Sequence, residues 1–81
     1  MKKKLAYVLY DFHTGGMETA IYNVASQLKN EFELYFVATH VKEIHQKFQK
    51  LGHCMYIKDE KSLVAFFREN KIDIVQSNIE D

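Results

Sequence analysis

The residues with the clearest chemical use are Gly15 and Gly16, the only paired glycines in the chain, preceded by His13 and Thr14. They stand between a short apolar run, residues 5–10, and an amphipathic stretch with Glu18 near its start. A strand, a glycine turn and a helix N-terminus in that order present backbone N–H groups at the positive end of a helix dipole, which suits a phosphate. Without a Cβ, the backbone can approach such a ligand closely. The pair reads in two ways, as a tight turn between elements or as a backbone cradle for a diphosphate. The dinucleotide fingerprint G-x-G-x-x-G is absent, and so is the P-loop pattern. Thr14 is placed to N-cap the helix, and Glu18 in the first turn favours the dipole. Asp11 suits either acceptor hydroxyls or turn formation.

The other titratable residues do not assemble into a metal or nucleophile pattern. His13, His40, His45 and His53 show no H-x-x-x-H spacing, and His53-Cys54 lacks companions at ligand distances. No metal is expected. His13 and His40 follow predicted strands, on the side of an open sheet where ligands bind; His45 and His53 read as solvated or hydrogen-bonded structural residues. Cys54 is the single cysteine, so no internal disulfide forms, which fits a reducing compartment.

The elements that must position these residues can be read from periodicity. Residues 5–10 are almost continuously apolar, as in a strand buried on both faces of a parallel sheet. Met17, Ala20, Ile21, Val24, Ala25 and Leu28 form one helical stripe, with Asn30 as the stop. Residues 32–38 read as a second strand. Val41, Ile44, Phe48 and Leu51 mark a second helix, closed by Gly52 as a left-handed cap. Residues 54–57 form a short third strand. Asp59 or Ser62 caps a third helix bearing Leu63, Val64, Phe66 and Phe67, which ends near Asn70. Residues 72–75 form the fourth strand. The fold class is therefore α/β, a Rossmann-like β-α-β-α-β-α-β half-domain. Its four-stranded parallel sheet is expected in the order 3-2-1-4, with right-handed crossovers.

Composition narrows the function classes. The 81 residues make one domain at most, and Lys plus Arg equals Asp plus Glu at 11 each. A net charge of zero removes the case for a nucleic-acid face and favours association near neutral pH. The lysines at positions 2–4 lead into a strand; the apolar run behind them breaks at Asp11, too short for a signal peptide or a span. They read as solvated, with contact to anionic lipid as the lesser alternative.

One long stretch resembles a known family. V-L-Y-x-F-x-x-G-G-M-E-x-x-x-x-N-x-A-x-x-L is similar to the opening of retaining glycosyltransferases of family 4, which have the GT-B fold. The matching positions are Gly15, Gly16, Glu18, Asn23, Ala25 and Leu28. Lys71-Ile72-Asp73-Ile74-Val75 resembles the K-P-D-(I/V)-V strand that precedes an H-x-H turn in those enzymes. Here Gln76, Ser77 and Asn78 replace that turn; they hydrogen-bond but do not shuttle a proton near neutral pH. The resemblance spans residues 5–78.

The resemblance implies that residues 1–81 are the N-terminal part of an acceptor-side domain, truncated before the C-terminal domain that holds most of the nucleotide. It implies a cytoplasmic hexosyltransferase of polysaccharide biosynthesis, peripheral to the membrane at most. A nucleotide-diphosphate sugar is the donor, a glycan or lipid is the acceptor, and no cofactor is required. The candidate binding residues are Gly15 and Gly16, with Thr14, His13 and Asn78 expected at the same crevice where the strand order 3-2-1-4 reverses; no catalytic residue is assigned. The fragment alone is expected to be inactive and to self-associate through an uncovered side of strand four, near Ile72, Ile74 and Ile79. Two readings of other classes stand beside it: a stand-alone phosphate- or nucleotide-binding module of flavodoxin-like type, and a protein-interaction domain without a ligand.

Overall fold

A computed structural model of the chain describes residues 2–10, 12, 16–44 and 46–77. The elements are β1 (Lys3–Leu9), α1 (Gly16–Leu28), β2 (Phe32–Ala38), α2 (Gln46–Gln49), β3 (His53–Tyr56), α3 (Glu60–Glu69) and β4 (Ile74–Ser77). The four strands form one parallel sheet in the order β3-β2-β1-β4, as the sequence predicts. β1 and β2 are the inner strands, and each carries a run of five buried residues, Leu5 to Leu9 and Leu34 to Ala38. A strand with that composition must be covered on both faces.

The main core lies on one face of the sheet. Leu5, Tyr7 and Leu9 of β1 join Leu34, Phe36 and Ala38 of β2 beneath Ile21 and Ala25 of α1 and Phe48 of α2. Phe12, Phe36 and Phe48 meet there, with ring centroids 5.0 to 5.7 Å apart. Geometries near perpendicular add to the area they bury. On the opposite face Tyr35 meets Phe66 of α3 edge-on at 5.6 Å. α3 buries none of its residues fully, so this second layer is thinner.

The second helix departs from expectation. It is a single turn, Gln46–Gln49, rather than a helix running from Val41 to a cap at Gly52. Val41, Lys42 and Glu43 have no regular structure, and Ile44 bridges in parallel to Phe12. The apolar spacing was real, but it serves an extended segment followed by one turn: Ile44 and Leu51 still pack on the core around Phe48. Gly52 does not adopt a left-handed backbone. It is glycine because a Cβ there would lie 2.3 Å from the Leu34 carbonyl oxygen.

The stop after α3 is of another kind. Asp59 caps its start, accepting from the Ser62 backbone N–H at 2.9 Å. At its end Lys71 takes φ 54°, while Ile72 N–H donates to Phe67 O and Lys71 N–H to Arg68 O. That is a Schellman motif with lysine at the position glycine usually holds. The chain then enters β4 through a clamp. Lys4 N–H donates to Asp73 Oδ2 at 2.8 Å, and Asp73 N–H donates to Lys4 O at 2.9 Å.

Candidate functional site

In an open parallel sheet the strand order reverses at one place, and the crevice beyond the carboxyl ends of the strands there is the usual ligand position. With order β3-β2-β1-β4, that place lies between β1 and β4. Gly16, of the predicted binding residues, is the first residue of α1, whose start follows the carboxyl end of β1. Ser77 ends β4 in register with Val8, and Gln76 is in register with Tyr7; both are exposed. His13, Thr14, Gly15 and Asn78 lie outside the described residues, as do Asp11 and His45. The topology thus brings the start of α1 and the end of β4 to the same end of the sheet, with β1 between them.

The rim at this end is built from the segments that leave β1 and β2. Thr39 N–H donates to Leu9 O at 2.9 Å, and His40 and Val41 N–H both donate to Tyr10 O at 3.1 Å. These bonds extend the β1–β2 pairing past the strands and hold the two side chains that cap it. Tyr10 and His40 stack with centroids 3.9 Å apart and an interplanar angle of 21°. Both are exposed. The Thr39 hydroxyl donates to Leu9 O at 3.3 Å and lies 2.8 Å from His40 Nδ1. In that arrangement Nδ1–H donates to the hydroxyl oxygen, and Nε2 is the acceptor of the neutral ring. Farther along, Lys42 Nζ sits 5.7 Å over the Tyr56 ring. An aromatic and imidazole platform of this kind suits a polar ligand with apolar faces, such as a sugar.

Sequence reasoning missed two anchors of this end. Phe12 is fully buried and bridges to Ile44, so the connection between β1 and α1 is pinned to the core at its third residue. The apolar Phe12 inside a polar loop was the available signal. Glu18 is the second. A glutamate in a first helical turn reads as compensation for the dipole, but here its side chain is 8% exposed and its Oε2 lies 2.7 Å from Lys47 Nζ of α2. Thr19 Oγ1 donates to the same oxygen at 3.2 Å. Lys47 also lies 4.8 Å over the Tyr22 ring. The carboxylate therefore ties α1 to α2. The signal for its partner was hidden, because Lys47 lies on a helix whose extent the sequence overstates.

A cleft of about 290 Å³ opens at the amino ends of β2 and β3, beside Lys2, Lys29, Glu33 and His53. Several of its polar groups are engaged: Lys2 Nζ donates to Lys29 O, and His53 Nε2 lies 3.0 Å from Glu33 Oε2. Tyr35 O–H donates to the same carboxylate at 3.0 Å, which holds Glu33 below the usual carboxylate range. Burial, and then Glu33 itself, push the Tyr35 hydroxyl upward. This is a structural cluster at the end of the sheet opposite the switch point, and its volume does not outweigh the topology.

Among the described residues no group of three or more His, Cys, Asp or Glu side chains could hold a metal ion. No helix among them is long and apolar enough to cross a membrane. No family model, no curated protein and no solved structure matches the chain.

Proposed function

We propose that this chain is the acceptor-side half-domain of a GT-B glycosyltransferase, which moves a sugar from a nucleotide-diphosphate sugar to a glycan or lipid acceptor in the cytoplasm. The strand order β3-β2-β1-β4 carries the reading. It brings the start of α1 and the end of β4, which belong to the two stretches that resemble the family, to one end of the sheet at the switch point, and this supports the reading. In this reading the glycine segment before α1 offers backbone N–H groups to the donor diphosphate, and the helix dipole stabilises its charge. The Tyr10–His40 platform presents one aromatic surface and the Nε2 acceptor to a sugar ring of the acceptor. Gln76 and Ser77 supply hydrogen bonds at the β4 side. The second domain holds the nucleotide, and transfer takes place between the two.

The test is made in the full-length enzyme. Gly16→Val is expected to lower the transfer rate at least tenfold, about 1.4 kcal/mol of transition-state stabilisation. His45→Ala is expected to leave it nearly unchanged. Thermal unfolding of both variants separates loss of function from loss of fold. Equal rates in two folded variants would reduce the glycine pair to a turn and remove the site from this end of α1.

A further inference from the structure

Two polar residues are buried among those described, Glu18 and Thr39. Glu18 pairs with Lys47 and ties α1 to α2. Thr39 stands between two different neighbours. Its hydroxyl donates to Leu9 O at 3.3 Å, and the same oxygen lies 2.8 Å from His40 Nδ1. Leu9 O also receives the Thr39 backbone N–H at 2.9 Å, which gives one donor to each of its two lone pairs.

A hydroxyl carries one hydrogen. With that hydrogen on Leu9 O, only lone pairs remain toward His40, so Nδ1 must hold a proton. The reverse arrangement, in which the hydroxyl donates to Nδ1, forfeits the bond to Leu9 O and keeps one bond of the two. The free lone pair of the neutral ring therefore stands at Nε2. The ring is also held in place. Tyr10 stacks on it with centroids 3.9 Å apart, and the His40 and Val41 N–H groups both donate to Tyr10 O. Turning the imidazole over would set Cδ2 against the Thr39 oxygen, where it offers no N–H.

We propose that Thr39 is a positioning residue for specificity: by fixing the His40 tautomer it makes this rim accept a sugar hydroxyl and refuse a phosphate. The inference rests on the reading of the Tyr10–His40 platform as a sugar site, and it adds a rule for which part of a substrate goes there. A hydroxyl donates to Nε2. The oxygens of an ionised phosphate only accept, so at Nε2 they would set lone pair against lone pair. The donor diphosphate is thus left to the start of α1, and the acceptor sugar is oriented with one hydroxyl on Nε2. Thr39 touches neither; it acts through His40.

Nitrogen NMR of the 81-residue chain, with isotope-labelled histidine at mildly alkaline pH, reads the tautomer. Wild-type His40 is expected to hold its proton on Nδ1. Thr39→Val keeps the shape of the side chain and the backbone bond to Leu9 O, and is expected to move the proton toward Nε2. Thr39→Ser is expected to restore it to Nδ1. Three probes then test the rule: methyl glucoside, its fully O-methylated derivative, which cannot donate, and inorganic phosphate. The glucoside is expected to move the His40 Nε2 resonance, and the other two to leave it in place. Thr39→Val should bind the glucoside roughly fivefold more weakly, the worth of one hydrogen bond, and Thr39→Ser as wild type does. A bare Nδ1 in the wild-type chain, the same response or none to glucoside and derivative, or a shift of Nε2 by phosphate overturns the proposal. If Thr39→Val does not fold, the wild-type tautomer and the three probes decide. None of these readouts needs sugar transfer. A chain that meets them while the full-length protein transfers no sugar ends the enzymatic reading and upholds this one.

Discussion

Cys54 and Tyr7 are both polar groups on the α1 side of the sheet, and each has a measurable consequence. Burial pushes the Cys54 thiol from its ordinary 9.0 up to about 11. The thiolate is the reactive form, so labelling by a disulfide reagent at mildly alkaline pH should be slow in the folded chain and fast in urea. The linkage has a definite sign. Above pH 9 the unfolded chain loses the thiol proton while the folded chain keeps it. Stability is therefore unaffected below 9 and falls as pH rises from 9 toward 11, which urea midpoints across that range will report. Burial also raises the Tyr7 hydroxyl. Because that hydroxyl has no partner, Tyr7→Phe should stabilise the monomer by about 1 kcal/mol, measured by urea unfolding at high dilution. The apolar run of residues 5–10 was enough to put Tyr7 inside and Tyr10 at the rim, since a strand end meets solvent. It did not indicate that Glu18 turns inward. A lone carboxylate on a helix looks solvated until tertiary structure brings Lys47 to it.

The elements with the strongest periodicity match their sequence reading, and the weak ones do not. β2 is found over the predicted residues 32–38, and α1 ends at Leu28 as its stripe requires. α2 fails because Val41, Ile44, Phe48 and Leu51 satisfy a helical spacing that an extended segment and one turn satisfy equally well. Apolar spacing reports which residues face the core and not the backbone that brings them there. The Gly52 reading fails for a related reason. Glycine after a helix signals either a left-handed cap or a close approach, and only the β2 backbone beside it tells which. Gly52→Ala should cost about 1–3 kcal/mol, because backbone atoms cannot step aside as a flexible side chain would. The opposite is expected at the end of α3. Lys71 holds a left-handed conformation that penalises a Cβ by roughly 1–2 kcal/mol. Lys71→Gly should recover part of this, less the added entropy of the unfolded chain. Thermal melts of the two glycine–side-chain exchanges should therefore shift in opposite directions.

At the scale of the whole molecule, the strand order was legible from the alternation of strands and helices, crossover handedness and Rossmann analogy, and the sheet follows it. The ligand was not legible at that scale, since a glycine pair between a strand and a helix serves a tight turn as well as a phosphate. Transfer needs donor and acceptor held together, an advantage of several kcal/mol. The isolated 81-residue chain should therefore show no sugar transfer from nucleotide-diphosphate donors, and detectable product from the pure chain would count against the proposed division of labour. The same topology governs how the molecule is made. The inner strand β1 is encoded first, yet its neighbour at the sheet edge, β4, is the last of the four described strands to be encoded, and the Lys4–Asp73 clamp that joins them spans 69 residues. While the chain emerges from a ribosome, β1 can find β2 early, but its other edge stays open until residues 74–77 have cleared the exit tunnel. Contacts so distant in sequence are slow to close. Until then one edge of a strand with five consecutive buried residues stays unpaired, which makes a nascent chain of this kind a natural client for chaperones that shield strand edges.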